Sequence, residues 1–448
     1  MNIVTNQDNS TLKAIRGQIL SFKADPFLSD DPESCIDYFK DGTAVIGNGK
    51  IMDVDHTQSI KKRYPDITHT EQYSDDALIM PGFIDCHAHY VQAPMVGSFG
   101  ETLLDWLNTY TFPTEAMFAD KRHAAKTARI FIGQLLANGT TTANVFATTF
   151  ESSVDAFFEE SERAGTRMIC GKVLQDRNLP DNLKDKSAEE SVETAERLLK
   201  RWHGRGRQLY AVIPRFAPTS TPGQLSLAGD LYQRYLQQGV YMHTHLDESE
   251  DEIRWVKELF PDAENYTDVY RRFGLLGNRS LLAHCCIVSP AEWEMIGKAG
   301  ASALHCPSSN LFLGDGQFRW WDAVAHNVAF GIGTDIGAGT NFSILRQLGE
   351  AYKVGMLHAR GIDALRSFYL ATRGGARALR LDDRIGSIAP GYEADMTVID
   401  LKPDSFTEWR LQSVTDIFQK LFVLQTVSPA KVIKATYVAG EKVFHSGN

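Results

Sequence analysis

Pro81-Gly-Phe-Ile-Asp-Cys-His-Ala-His89 decides how the rest of this chain is read. Phe83 to Cys86 reads as a buried strand that ends in two histidines. Side chains at i and i+2 of a strand point the same way. His87 and His89 therefore present two imidazoles side by side. Two such nitrogens are half of a site for a borderline-soft divalent ion, which then takes further ligands. Taken alone, the pair reads equally as two polar residues at a strand-to-loop transition. The stretches on either side decide between the two.

Downstream, strand and helix signals alternate. Strand-like runs fall at 82–87, 140–147, 167–174, 210–217, 240–246, 280–285, 301–306 and 329–335. Helical stretches lie between them, such as Asp120 to Asn138, closed by Gly139, and Ala188 to His203, closed by Gly204. Glycine at these positions suits a helix stop. Strands alternating with helices imply a parallel sheet, and eight of them imply a closed TIM-like (β/α)8 barrel. Upstream of the quoted stretch and after residue 385 the pattern changes to short β runs and turns, including Gly47-Asn-Gly49. Neither end carries enough apolar residues to bury a core alone. The expectation is a small β-sandwich domain built from both termini, 1–75 and 385–448, flanking a barrel of 76–384.

The bulk numbers narrow the class. The chain has 448 residues, 43% hydrophobic and 23% charged, with a formal net charge of −10. These are the proportions of a soluble globular protein. No Lys/Arg run appears, which argues against a nucleic-acid or anionic-membrane surface. No apolar run reaches the roughly 18 residues of a membrane span, and Met1 to Thr11 is polar, unlike a signal peptide. The six cysteines, with Cys285 and Cys286 adjacent, form no regular framework. Reduced thiols and a cytoplasmic location are expected.

Residues of ligand type close many of the apolar runs. The first strand ends in His87 and His89, and the fourth in Arg215. The fifth ends in His245 with Glu248 beyond, the sixth in His284, the seventh in His305, and the eighth in Asp335. In a barrel these ends converge on one face, where active sites are built. His87, His89, His245 and Asp335 make a zinc-type donor set with room for a water, the pattern of a catalytic rather than a structural site. A water held there becomes a nucleophile near neutral pH. Glu248 is placed to carry a proton to the substrate. His284 is placed to hydrogen-bond the water or the developing hydroxyl, and Asp335 to take the water's proton. Together these describe hydrolytic attack on an electrophilic carbon.

The ordered set Pro-Gly-Phe-Ile-Asp-Cys-His-Ala-His, His-Thr-His-Leu-Asp-Glu, Ala-His-Cys, His-Cys-Pro-Ser-Ser-Asn, Gly-Thr-Asp and Gly-Ser-Ile-Ala-Pro-Gly-Tyr-Glu-Ala-Asp resembles the amidohydrolase superfamily. Within it, the chain is similar to the members that deaminate guanine. The supporting runs are His89 to Gln92, Gly100 to Leu107, Tyr110 to Thr114, Pro214 to Thr219 and Gly333 to Gly339. The resemblance implies hydrolysis of guanine to xanthine and ammonia, one zinc ion per subunit, and a homodimer. It implies His87, His89, His245 and Asp335 as ligands and Glu248 as the proton shuttle. Gln92 and Arg215 become the guanine readers, with the Phe216 backbone assisting; His245, Glu248 and Asp335 also face the base. The residue chemistry agrees: a guanidinium donates to O6 without accepting, and an amide offers both a donor and an acceptor.

Other assignments have plainer readings. Arg215 also fits a barrel-rim ion pair. His305 reads as a packing residue before a turn, and His243 as a core histidine one layer below His245. Trp106 fits either a purine stack or the core. Lys172 raises the question of a carboxylated lysine bridging two metals, but Glu248 after His245 fits a one-metal deaminase better. Cys86 and Cys306 read as small buried residues. The alternatives for function are a zinc aminohydrolase of another nucleobase, pterin or triazine, and a non-catalytic scaffold of the same fold.

Overall fold

The computed structural model describes residues 12–100 and 103–447. The polar segment Met1 to Thr11, and Glu101 and Thr102 of the run from Gly100 to Leu107, lie outside the described residues. Eight parallel strands form the central sheet: β1 (Phe83–His89), β2 (Thr140–Phe146), β3 (Arg167–Gly171), β4 (Leu209–Pro214), β5 (Tyr241–Leu246), β6 (Ser280–His284), β7 (Ser302–His305) and β8 (Ala329–Ile332). They lie side by side in sequence order. A two-residue strand, Val173–Leu174, extends the line of β3 beside Ile213 and Pro214. The seam between β8 and β1 closes at the top. Asp335 N donates to His87 O at 2.8 Å, and His89 N donates to Ile336 O at 2.6 Å. A Cβ on Gly333 would lie 2.8 Å from the His87 backbone, so only glycine lets the two strands approach this closely.

The helices between the strands follow their sequence signals. Lys121–Ala137 starts where the Asp120 side chain accepts from Arg122 N, and Ala188–Trp202 where Ser187 accepts from Glu190 N. Such caps satisfy donors that the helix leaves open. Gly139 and Gly204, just past the two helices, have φ of 80° and 77°. Ala124, Ala128, Phe131, Ile132 and Leu135 fall at helical spacing and pack on the sheet's outer face. Burying one such phenylalanine stabilises the fold by about 1.5–3 kcal/mol.

Alternation along the strands sorts the side chains into two layers. Ile84, Ile169, Ala211, Ile213, Tyr241, Leu281 and Leu304 fill the barrel interior. Phe83, Ala143, Met168, Val212, Met242, Leu282 and Ala303 pack outward beneath the helices. By this parity Arg215, His243 and His245 point inward, whereas Lys172 and His305 point outward. Strict alternation would also send His87 and His89 outward, because they share the parity of Phe83. A register shift between Asp85 and Ala88 against β2 inserts one extra residue, and this bulge turns both imidazoles into the barrel.

The terminal segments form one eight-stranded sheet. Its order is Glu441–His445, Ile433–Val438, Met396–Asp400, Ala77–Pro81, Lys13–Phe22, Ile36–Gly47 and Lys50–His56, with Thr70–Gln72 also paired to Lys13–Phe22. Ala77–Pro81, just past residue 75, is a central strand of it and leads directly into β1. Its core is aliphatic: Ile15, Ile19, Ile46, Ile51, Ile79, Met396 and Val398. Arg167 and Arg207 from the barrel both pair with Glu393, and Arg207 also with Asp395. Among the described residues no helix is long and apolar enough to cross a membrane.

Candidate active site

The bulge on β1, the inward face of β5 and the β8–β1 seam bring four donors together. His87 Nε2 and His89 Nε2 lie 3.2 and 3.4 Å from Asp335 Oδ1. His89 Nε2 lies 3.2 Å from His245 Nε2. These four residues are at least nine-tenths buried. His87 Nε2 has no hydrogen-bond partner of good geometry among the described residues, and His284 Nε2 has none either. Buried polar atoms are ordinarily satisfied, so this convergence of orphaned imidazole nitrogens and a carboxylate could hold a divalent ion. A second group, His87, His284, Cys306 and Asp335, is also close enough to share an ion. Burial pushes the Cys306 thiol well up, away from the thiolate that ligates, which favours the three-imidazole set.

The imidazoles are held in the ligand form. Burial, and after it the Arg215 charge, pushes His87 down to about 3. Burial also takes His89, His245 and His284 well below the ordinary histidine range. Neutral rings are what a metal requires. Their orientation comes from a surrounding layer. His245 Nδ1 donates to the Arg215 carbonyl at 2.6 Å, leaving Nε2 for the cluster. His87 Nδ1 donates to His243 Nε2 at 2.8 Å. His243 is therefore the partner that orients a ligand rather than a ligand itself, the outer arrangement typical of metal-bound histidines. Asn144 Nδ2 lies 3.1 Å from the same His243 nitrogen and donates to Cys86 O.

Glu248 and His284 lie beside this cluster. Glu248 Oε1 is 3.5 Å from His284 Nδ1, and the Asn310 amide is 3.0 Å from that same nitrogen. His284 Nε2 is left facing Asp335 Oδ2 at 4.0 Å. His284 shares the outward parity of Leu282, yet its φ of 72° swings the ring into the site. Cys285 and Asp335 also have positive φ, 51° and 49°. Non-glycine residues rarely adopt this conformation, and clusters of it mark functional sites. Burial first, then the charges of Asp315, Glu252 and Asp335, holds the Glu248 carboxyl well above its usual range. Burial likewise raises Asp335. The Glu252 side chain accepts from Glu248 N at 3.0 Å and from Tyr266 OH at 2.9 Å, which fixes the backbone carrying Glu248.

The cluster opens into a pocket of about 400 Å³ of atom-free space. Gln92, Trp106, Leu107, Arg215, Phe216, Leu313 and Ala338 form its other walls. Trp106 lines the pocket and is at the same time core, packed with Leu107, Phe112 and Leu183. A larger cavity, with about 1690 Å³ of atom-free space, lies next door, beyond Leu313, but no imidazole of the cluster faces it. The smaller pocket is the candidate site, because the imidazoles, Asp335 and Glu248 converge there.

Sequence reading does not reach Glu115. The run from Tyr110 to Thr114 stops one residue short of it, and nothing in the local sequence marks its partners. It is fully buried on the short helix Phe112–Ala116. Arg215 Nη1 donates to its two oxygens at 2.9 and 2.8 Å, and Gln92 Nε2 donates to it at 2.9 Å. Gln92 Nε2 is also 3.3 Å from His89 Nδ1.

His305 and Lys172 do not join the site. His305 stacks on Phe318 with ring centroids 5.0 Å apart and meets Trp320 edge-on. Lys172 Nζ donates to Asp185 at 2.6 Å and to Thr149, Ser191 and the Val173 carbonyl. Both follow from outward parity. Lys172→Met should lower stability by about 3–5 kcal/mol, because Asp185 is left buried without its partner. Bound metal and KM should stay near normal. Loss of metal, measured by elemental analysis of folded protein, would return Lys172 to the site.

The sequence pattern of the Amidohydrolase family matches residues 78–443. The guanine deaminase of Escherichia coli (strain K12) is 44% identical over 437 residues, covering 97% of this chain and 98% of that protein. A solved E. coli guanine deaminase superimposes with a TM-score of 0.93 at 43% identity, covering 97% of this chain and all of the other. A guanine deaminase from C. acetobutylicum, solved with guanine in its active site, superimposes with a TM-score of 0.87 at 28% identity, over 97% of this chain and 100% of that one.

Proposed function

We infer, since the chain belongs to the amidohydrolase family, that it hydrolyses guanine to xanthine and ammonia. The observation that carries this reading is the pocket itself. The imidazole and carboxylate donors and Glu248 form one wall, and Arg215 and Gln92 form another. Relatives that share this architecture along the whole chain act on guanine.

The donor set fits zinc, one ion per subunit, held by His87, His89, His245 and Asp335. When bound, such an ion supplies Lewis-acid activation of water. The chain's own residues do the rest. Arg215 keeps Nε and Nη2 for an acceptor such as O6, since Nη1 is engaged by Glu115. Gln92 and the Phe216 backbone complete the reading of the base. The attacking oxygen forms a bond to C2. Asp335 and Glu248 take up the protons it gives, and Glu248 delivers one to a ring nitrogen and one to the departing amine. The C2–N bond then breaks, ammonia leaves, and a carbonyl remains at C2. Burial raises the Glu248 carboxyl above its usual range, which favours its holding a proton it can pass on. His284 Nε2 steadies the tetrahedral carbon's oxygen.

A homodimer and a cytoplasmic location complete the proposal. Exposed Phe406 and Trp409 on one short helix supply apolar surface of the kind subunits cover.

Ammonia release from guanine by zinc-loaded protein, with adenine, cytosine and pterin alongside, tests the reading. Release from guanine and not from adenine or cytosine is expected. Turnover of another base in place of guanine would keep the barrel and the metal chemistry and discard this account of the pocket.

A further inference from the structure

We propose that Glu115 is a positioning residue that sets the polarity of the base-reading edge and so selects the class of base. The inference deepens the guanine reading and rests on it. A primary amide is a donor on one side and an acceptor on the other, and the two sides differ little in size. Left free, Gln92 could present either. Glu115 removes the choice. A fully buried carboxylate only accepts, and it takes the Gln92 Nε2 donor at 2.9 Å. A flipped amide would instead set its oxygen against that carboxylate. Oε1 is therefore the atom left for the pocket that Gln92 lines. His89 pulls the other way: with its Nε2 turned to the cluster its Nδ1 carries the ring proton, and at 3.3 Å from Gln92 Nε2 it would favour the flipped amide. The charged Glu115 acceptor, closer at 2.9 Å, is what holds the amide against that pull.

The same carboxylate engages Arg215 through Nη1 alone, at 2.9 and 2.8 Å. This holds the guanidinium plane and leaves the other donors of the fork free. The pocket thus offers one fixed acceptor and one fixed set of donors. That pattern matches a ring lactam, an N–H beside a C=O, and opposes an amidine edge such as that of adenine, where the ring nitrogen accepts and the amine donates. A buried group left facing its own kind is costly, which is how sites reject bases of similar size. The class of base this polarity selects is a cyclic lactam; the exocyclic amine follows from the guanine reading on which the inference rests.

The first measurement uses the unaltered holoenzyme. Hypoxanthine, a lactam without the amine, should inhibit competitively at about tenfold or more lower concentration than adenine. Equal inhibition by the two overturns the proposal. The second uses Glu115→Gln, whose amide accepts from or donates to Gln92 and so releases the lock. KM for guanine should rise about 10–100-fold, with a smaller change in kcat, unchanged zinc content and a narrowed ratio between hypoxanthine and adenine. A merely structural residue would lower kcat with the folded fraction and leave KM and that ratio alone, and this outcome also overturns it. If Glu115→Gln does not fold, Glu115→Asp keeps the charge at shorter reach and should show the same KM rise, about 3–10-fold. Guanine turnover by the unaltered enzyme separates the two readings: its absence refutes the guanine assignment, whereas turnover without lactam preference refutes only the role of Glu115.

Discussion

Glu248→Gln is expected to lower turnover of guanine by about 10²–10⁴-fold while leaving bound zinc unchanged. Glu248 is not within the donor cluster, so the amide costs the metal nothing directly. Its carboxyl is nevertheless the group best placed to move protons. It is buried beside His284 and held well above its usual range by burial and by three neighbouring carboxylates. An amide of the same shape neither gains nor loses a proton in this range, so both deliveries, to the ring nitrogen and to the amine, are lost. Steady-state ammonia release and elemental analysis on one preparation check this. Turnover within a few-fold of the unaltered enzyme would remove Glu248 from the reaction, and loss of zinc would make it part of the metal's support.

Arg215→Ala should have two separable effects. Guanine use should fall steeply through KM, because the donors facing O6 are gone. Stability should also fall by about 3–5 kcal/mol, because Glu115 becomes a buried carboxylate without its ion partner. The backbone carbonyl that orients His245 remains, so zinc should stay bound. A double variant, Glu115→Gln with Arg215→Met, removes both charges and should recover much of the stability while leaving guanine use poor. Denaturant unfolding gives one quantity and KM the other. If the double variant restores guanine use together with stability, Arg215 is only a structural partner of Glu115. If the single variant loses zinc, its role lies with His245.

Much of this site was legible because its chemistry is local. His87 and His89 are two residues apart on one strand, His245 and Glu248 are separated by one turn of chain, and Asp335 follows an apolar run that ends in glycine and threonine. The strand pattern also carried the barrel, since short apolar runs alternating with capped helices leave few other arrangements. The residues that support the site were harder to read. His243 looked like a core histidine, and only its 2.8 Å contact with His87 shows what it holds in place.

What the sequence by itself determined was the order of the strands and the histidine and carboxyl side chains at their ends, all properties of residue type and short spacing. What only the tertiary structure decided was direction and partnership. A single inserted residue between Asp85 and Ala88 turns the β1 histidines inward, a left-handed His284 brings that ring in against its strand's parity, and outward parity takes Lys172 to Asp185. Glu115 meets Arg215 across 100 residues of chain. The physical reason is the same in each case. A one-residue change of register reverses which face a side chain occupies, and a buried charge finds its partner through closure of the barrel rather than along the chain.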